Sequence, residues 1–456
     1  MRHSSHMLAV ERLSGADRAW LMMDRPTNRM TIVSLVIYSR PFPIGDLRAL
    51  VEERFLTHER FRCYPEADAL GARWVPDVGF DIANHVLTMK LPAGADKHDL
   101  ERLVGRLAGT PFRPGRPLWT FHLIEHWQGG SAAIIRIHHC YADGIALSRV
   151  LLSLADGAGA ASPPAHHEAQ GLHLPFGVGT LLEKGMHYAL HPLEATTAAW
   201  DTVALAGELT HLGTMTDDPP TRLKGPLSGI RRAAWLEPIP LEEVRTIGHV
   251  LGCTINDVLI STLAGALGRY LEAHHEPVAG LTIRAAVPVD LRAPDGSDPP
   301  MGNRFGLVFV ELPVGIHHPL ERLYAVHGAM QRLKGSHQAL AVLGLMSFIG
   351  NLPSPVEEPA TALFSAKASL VASNVPGPRE PLMFKGVPAS QVLFWVPQAG
   401  SIGIGVSMLS YNGRVQFGVM ADKRLIPKPA ALTAQMASEF NRLVYLVLLG
   451  GAALTD

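Results

Sequence analysis

Residues 138–144 read His-His-Cys-Tyr-Ala-Asp-Gly and directly follow the apolar run SAAIIRI at 131–137. That run has the composition of a strand. Side chains alternate along a strand, so Ile135, Ile137 and His139 share one face and Ile134, Arg136 and His138 the other. Only one of the two adjacent imidazoles can then line a given cleft. Residues 145–156, IALSRVLLSLAD, are apolar at Leu147, Val150, Leu151 and Leu154, which predicts a helix. Asp143 closes the short turn between them, and Gly144 allows backbone that a side chain would hinder. The end of a strand running into a helix is a common place for catalytic groups in α/β sheets.

The chemistry on offer is general base catalysis. A neutral imidazole with a pKa near ~6.5 takes a proton from a bound hydroxyl or amine at neutral pH. His139 is the candidate base, with His138 beside it. Asp143 either fixes the ring directly or holds the turn by pairing with an arginine. Arg284 and Arg292 flank VPVD and are the candidate partners, although a surface position is the plainer reading of Arg292. Cys140 lies on the His138 face and is a poor acyl nucleophile. A metal pair fits poorly too, since adjacent strand residues diverge and no third ligand is evident.

The chain has 456 residues, a length that suits two domains of roughly 200–250 residues each. Lys plus Arg is 40 and Asp plus Glu is 41, so no basic excess points to nucleic acid. Three cysteines, Cys63, Cys140 and Cys253, are far apart and lack a CxxC pair. They suggest neither a disulfide framework nor a zinc site, and a reducing cytosol is the expected compartment. The N-terminus has no apolar signal region, and the run LVYLVLLGGAAL (443–454) is shorter than the ~20 residues a membrane span needs.

The pattern predicts an α/β fold in two halves. Helical spacing covers 46–62 and 97–112. Strands are expected at 30–39, 117–125 and 131–139, with the last two joined by a turn at WQGG. Residues 157–172 are linker-like, and 181–213 reads as crossover helices. The expected division is therefore an N-terminal domain at 1–158, a linker with crossover helices at 159–226, and a C-terminal domain at 227–456. In the second half a helix follows Thr254, a strand covers 281–290 and a helix 318–336. Asn412-Gly413 between alternating runs is a type I′ hairpin signal.

Thr254 and Asp257 form a near-capping box that puts Asn256 and Asp257 in the first turn of a helix. Both either cap that helix or act in catalysis: Asn256 as a donor to a tetrahedral oxyanion or as a support for His139. Pro117-Leu118-Trp119 begins a core strand or lines a tunnel. Ser373-Asn374 opens a turn-forming stretch, and Asn303 and Gly306 read as a turn. The apolar helix at 338–353 is either buried or in contact with lipid.

At HHCYADG the sequence resembles the HHxxxDG superfamily of CoA-dependent acyltransferases, which includes chloramphenicol acetyltransferase and peptide-synthetase condensation domains. It is more closely similar to the bacterial wax ester synthase/diacylglycerol acyltransferases, through LSGADRAWLMMDRPTNRMTI (13–32), Pro117-Leu118-Trp119, TINDVLISTLAGALGRYL (254–271), PVDLR (288–292) with GNRFG (302–306), SNVPGP (373–378) and YNGRVQFGVMAD (411–422). The resemblance implies two chloramphenicol-acetyltransferase-like domains, each a mixed sheet flanked by helices, with the active-site tunnel between them. It implies transfer of a long-chain acyl group from acyl-CoA to a fatty alcohol or to diacylglycerol. His139 would be the base in a ternary complex, with no metal and no bound cofactor. It also leaves two other readings open: a condensation-type enzyme with a polar acceptor, and a non-catalytic lipid-surface protein. The expected setting is cytoplasmic, peripheral at the inner membrane or lipid inclusions, as a monomer or homodimer.

Overall fold

A computed structural model describes residues 11–68, 71–157, 207–208, 210–292, 302–334, 336–349 and 354–453. Most of the linker and crossover segment therefore lies outside the described residues. The N-terminal half opens with helix α1 (Gly15–Met22), whose cap Ser14 accepts the Asp17 N–H. Strand β1 (Thr31–Tyr38) follows. Helix α2 (Ile44–Leu50) comes next, then the hairpin β2 (Cys63–Asp68) and β3 (Gly71–Pro76) and the short β4 (Val86–Thr88). Helix α3 (Lys97–Gly109) starts at a capping box in which Asp96 and Asp99 bond each other's backbone. Strands β5 (Trp119–Trp127) and β6 (Gly130–His138) pair antiparallel across Gln128 and Gly129. Both turn residues have positive φ, 47° and 82°, as a tight primed turn requires. Helix α4 (Gly144–Ser153) leaves the histidine loop.

The C-terminal half begins with β7 (Arg231–Trp235) and β8 (Ile239–Pro240), then α5 (Leu241–Val250) and α6 (Ile255–Glu272). Strands β9 (Ile283–Asp290) and β10 (Phe305–Leu312) form an antiparallel pair. Helices α7 (Pro319–Leu333), α8 (Gln338–Ile349) and α9 (Ser354–Ala366) follow. Then come β11 (Leu370–Pro376), β12 (Met383–Phe384), β13 (Val387–Trp395), β14 (Ile404–Tyr411) and β15 (Arg414–Asp422). Helix α10 (Pro429–Ala453) closes the described chain. The expected Asn412-Gly413 hairpin joins β14 to β15, with φ of 50° and 69°.

The two large sheets do not follow the chain. One has the order β12-β13-β1-β6-β5-β4, so Met383–Trp395 crosses from the second half to lie beside β1. The other runs β10-β9-β11-β14-β15-β7. Helix α3 of the first half meets β7 of the second so closely that a Cβ on Gly105 would stand 2.7 Å from the Arg231 carbonyl. The mixed sheets flanked by helices agree with the expected fold class, and the pairing of β13 with β1 stitches the halves together.

Two local expectations are corrected. The segment at 46–62 is not one helix: α2 ends at Leu50, a π turn spans Val51–Phe55 and a 3₁₀ turn spans Glu59–Arg62. The breaks let Phe55 and Phe61 stack at 3.9 Å in the core. Gly306 is not in a turn but inside β10, beneath α8. A Cβ there would stand 1.8 Å from the Ala339 carbonyl oxygen. Helix α8 thus covers the edge strand, and its Gln338 side chain takes the Phe309 N–H at 2.6 Å. Gly306→Ala is expected to destabilise the fold by at least about 2 kcal/mol through overpacking. Urea unfolding measures this, and a change near zero would contradict the contact.

Candidate active site

The loop after β6 separates the two imidazoles as strand alternation requires. His139 is 3% exposed and stacks on Trp20 of α1, with ring centres 3.9 Å apart. Phe305 of β10 lies 5.7 Å from the same ring. The His139 backbone N–H donates to Met30 O at 2.8 Å. Burial lowers the His139 pKa to about 4; the charge of Asp143 opposes that effect and His138 reinforces it. The ring is therefore neutral at pH 7. His138 faces elsewhere: its Nδ1 accepts the Cys140 N–H at 3.1 Å, and Nε2 is 3.8 Å from an Asp24 oxygen. Burial holds it at about 4 as well. Burial raises the Cys140 thiol well above its usual value, so it stays protonated.

Asp143 caps α4. Its Oδ1 accepts the N–H groups of Ile145 and Ala146 at 3.0 and 2.9 Å. Its Oδ2 accepts the Arg304 N–H at 2.9 Å and the Arg292 guanidinium. A carboxylate offers about four lone-pair sites; all are taken, so Asp143 holds the turn and does not orient His139 by a hydrogen bond. The expectation of a surface Arg292 is corrected: its side chain is 2% exposed, and it also bonds Asp290 at 3.0 Å. Arg284 is not the partner. It bonds Asp218 at 3.2 Å and the Thr216 carbonyl at 2.7 Å. Gly144 has no positive φ, and a Cβ there would meet Val396 at an ordinary 3.7 Å. Its value is space, because it forms part of a cavity wall.

That cavity opens to solvent, offers about 1090 Å³ of empty space counted through its open mouth, and is mostly apolar. His139, Asp143 and Gly144 lie on its wall with Trp20, Phe305 and Met346. Strand β10 contributes Phe305, Leu307 and Phe309, so an apolar wall runs about 13 Å away from the histidine at roughly 3.3 Å per residue. Helix α8 adds Val342 and Met346; its Gln338, Ala339, Ala341 and Val342 are buried, while Leu343, Leu345 and Met346 are half-buried. Ser373 and Asn374 of β11 line the cavity. Asn374 Nδ2 donates to Asn256 Oδ1 at 3.1 Å, which places Asn256 one hydrogen bond from the wall.

Other predicted residues stand back from the cavity. Asp257 and Thr254 complete a capping box, and Asp257 also meets His327 Nδ1 at 2.8 Å. Cys253 joins these two to make a group of metal-capable atoms within 4.8 Å of one another, away from the histidine loop. Pro117, Leu118 and Trp119 brace that loop: the Leu118 N–H donates to Tyr141 Oη at 3.0 Å, and its carbonyl accepts the His138 N–H at 2.9 Å. Trp119 is fully buried and donates to Phe61 O at 2.8 Å. Sequence reasoning missed Trp20, Asp17 and the burial of Asn303. Trp20 and Asp17 sit on one face of α1 at helical spacing, which was the available signal.

Fold and site together define an acyltransferase/condensation architecture with a histidine at an internal apolar cavity. Residues 13–259 match the wax ester synthase/diacylglycerol acyltransferase catalytic domain, and residues 301–444 match the C-terminal domain of the same family. A Mycobacterium tuberculosis protein named as a probable diacylglycerol O-acyltransferase is 30% identical over 386 residues, 82% of each chain. Another protein of that organism carrying the same enzyme name is 28% identical over 451 residues, 92% of this chain and 87% of the other. Among solved structures, the wax ester synthase/diacylglycerol acyltransferase of Marinobacter aquaeolei VT8 superposes with a TM-score of 0.69 at 20% identity, covering 96% of this chain and 99% of that one. The first condensation domain of the CDA synthetase gives 0.60 at 15% identity, covering 96% of both. The chain belongs to the wax ester synthase/diacylglycerol acyltransferase family and is an O-acyltransferase of neutral-lipid synthesis.

Two measurements check the site. Arg292→Leu would leave Asp143 buried without its cation, and a loss of about 3–5 kcal/mol is expected in urea unfolding; a loss under about 0.5 kcal/mol would return Arg292 to the surface. His122, His138 and His139 all have folded pKa values near 4 against an ordinary 6.5. Between those values the unfolded chain binds protons that the folded chain refuses. These groups therefore cost the fold stability as pH falls from 6.5 to 4. Their Cε1–H signals, assigned by single substitutions, should not move between pH 8 and 5.5; a shift over that range would contradict their burial as neutral rings.

Proposed function

We propose that this protein transfers a long-chain acyl group from acyl-CoA to the hydroxyl of a fatty alcohol or of diacylglycerol, with His139 as general base. The observation that carries this reading is a neutral imidazole at the wall of a long apolar cavity. His139 Nε2 takes the proton of the acceptor hydroxyl as its oxygen attacks the thioester carbonyl. A C–O bond forms and the carbonyl oxygen becomes an oxyanion. We assign Asn256, hydrogen-bonded through its Oδ1 to the cavity-lining Asn374, as the candidate donor to that oxyanion. The intermediate collapses, the C–S bond breaks, and the CoA thiolate takes the proton back from Nε2. No covalent acyl-enzyme is needed, and the protonated Cys140 agrees with that.

The apolar walls favour alkyl chains over a polar or carrier-bound acceptor. Substrates of this kind reside in lipid, so we place the enzyme in the cytoplasm, in peripheral contact with a membrane or lipid inclusion. His139, the cavity walls and the Asp143 link all come from one chain, which is compatible with a monomer or a homodimer.

The test is incubation with palmitoyl-CoA and either hexadecanol or dioleoylglycerol, following thiol release and ester formation together. Transfer to at least one acceptor is expected. His139→Ala should lose about 10²–10⁴-fold in rate, Cys140→Ala should keep most of it, and His138→Ala should keep turnover per folded molecule. Retained turnover in His139→Ala removes the base assignment. Transfer to neither acceptor removes the substrate class.

A further inference from the structure

Away from the cavity, the second half of the chain gathers a thiol, a carboxylate and an imidazole at one point. Helix α5 ends at Val250, and Gly252, with a φ of 64°, turns the chain back so that the Cys253 N–H donates to the Gly248 carbonyl at 2.8 Å. This tight return delivers Cys253 to the start of α6. Asp257, at the third position of α6, is fixed by the capping box, where its Oδ2 accepts the Thr254 N–H at 2.8 Å. His327 arrives on α7, 70 residues further along the chain, and its Nδ1 lies 2.8 Å from the same oxygen. One ligand atom of each side chain lies within 4.8 Å of the other two. Among the described residues, no other three His, Cys, Asp or Glu side chains come together in this way.

The donor set and its spacing fit a zinc ion. Zinc binds thiolate at about 2.3 Å and imidazole or carboxylate at about 2.0–2.2 Å, so tetrahedral ligands stand roughly 3.3–3.6 Å apart. The Asp257–His327 pair, at 2.8 Å, must open by about half an ångström. The widest separation, at most 4.8 Å, must close by at most about 1.5 Å. Side-chain rotation supplies both, because Cys253 and His327 are half-buried while the buried Asp257 is held by its helix. The same partial exposure lets a water complete the fourth position. Calcium and magnesium take oxygen ligands, whereas a thiolate with an imidazole selects zinc.

We propose that Cys253, Asp257 and His327 bind one zinc ion, which clamps α7 to the start of α6. The proton balance is simple. The thiol gives up its proton to solvent and coordinates as thiolate. The ion takes the Nδ1 lone pair of His327 in place of the proton shared with Asp257, and the ring carries its proton on Nε2 instead. The Gln331 amide lies 3.4 Å from Nε2, one turn along α7, and by rotation presents its oxygen to that N–H. The role is structural: no step of acyl transfer runs through the ion, and the inference stands apart from the assignment of His139 as base. The sequence hides this site, because its cysteine has no CxxC partner and its histidine lies on a different helix.

Cobalt titration of the full chain, after treatment with a chelator and dialysis, tests this. Co²⁺ stands in for Zn²⁺ and reports a thiolate ligand by a charge-transfer band in the near ultraviolet. The expected result is such a band, saturating at one ion per chain and bleached by added Zn²⁺. Cys253→Ser should abolish it and Cys63→Ser should leave it intact. His327→Gln should raise the cobalt Kd by at least about 100-fold, the upper end of what losing a supporting group alone costs. Zinc should also raise the Tm of the wild type and leave that of Cys253→Ser unmoved. A wild-type chain without the band overturns the proposal. So does a band that survives Cys253→Ser, or cobalt affinity unchanged in His327→Gln. If Cys253→Ser does not fold, the wild-type and His327→Gln titrations decide.

Discussion

The site depends on a single carboxylate that joins the two halves of the molecule. Asp143 caps α4 in the first half and is gripped by Arg292 and the Arg304 backbone in the second. Four donors around four lone pairs leave nothing unsatisfied in a place where an unpaired charge would cost several kcal/mol. The consequence is geometric. The turn after β6 cannot shift without breaking the link between halves, so His139 is fixed relative to the cavity walls that β9, β10 and β11 provide. A parallel bridge between Ala142 and Gly302 adds backbone pairing at the same seam.

Around that seam the electrostatics are governed by dryness. Both imidazoles, the Cys140 thiol and the Asp17 carboxyl are all moved toward their neutral forms by burial. An apolar pocket suits the transfer of an acyl chain: it solvates alkyl chains and strengthens each hydrogen bond to a developing charge. The charged groups that remain are paired outside the cavity's apolar stretch, where they carry structure.

The exchange of β13 into the first sheet has the same effect at larger scale. Val33 faces Trp395 and Tyr38 faces Ala389, so the first sheet is unfinished without chain from the second half. Strand β14 follows within ten residues in the other sheet. The cavity lies where the chain passes from one sheet to the other, with Val396, Pro397 and Ala399 of that passage on its wall. Relative motion of the halves is thereby restrained by covalent chain as well as by the Asp143 link.

The sequence by itself determined what depends on local pattern. Alternation along 131–139 separated the two histidines, Asn412-Gly413 specified its hairpin, and the Thr254–Asp257 spacing specified a helix start, because each is set by geometry within a few residues. The motifs also carried the family. Tertiary structure alone decided which arginine meets Asp143, since Arg284 and Arg292 differ only in what the fold brings to them: Asp218 for one and Asp143 for the other. It also turned Asn303 and Gly306 from an expected turn into a buried anchor and a helix contact. A side chain's partners 160 or more residues away, as between Asn303 and His139, leave no period or spacing in the chain to read. They exist only once the two halves close on each other.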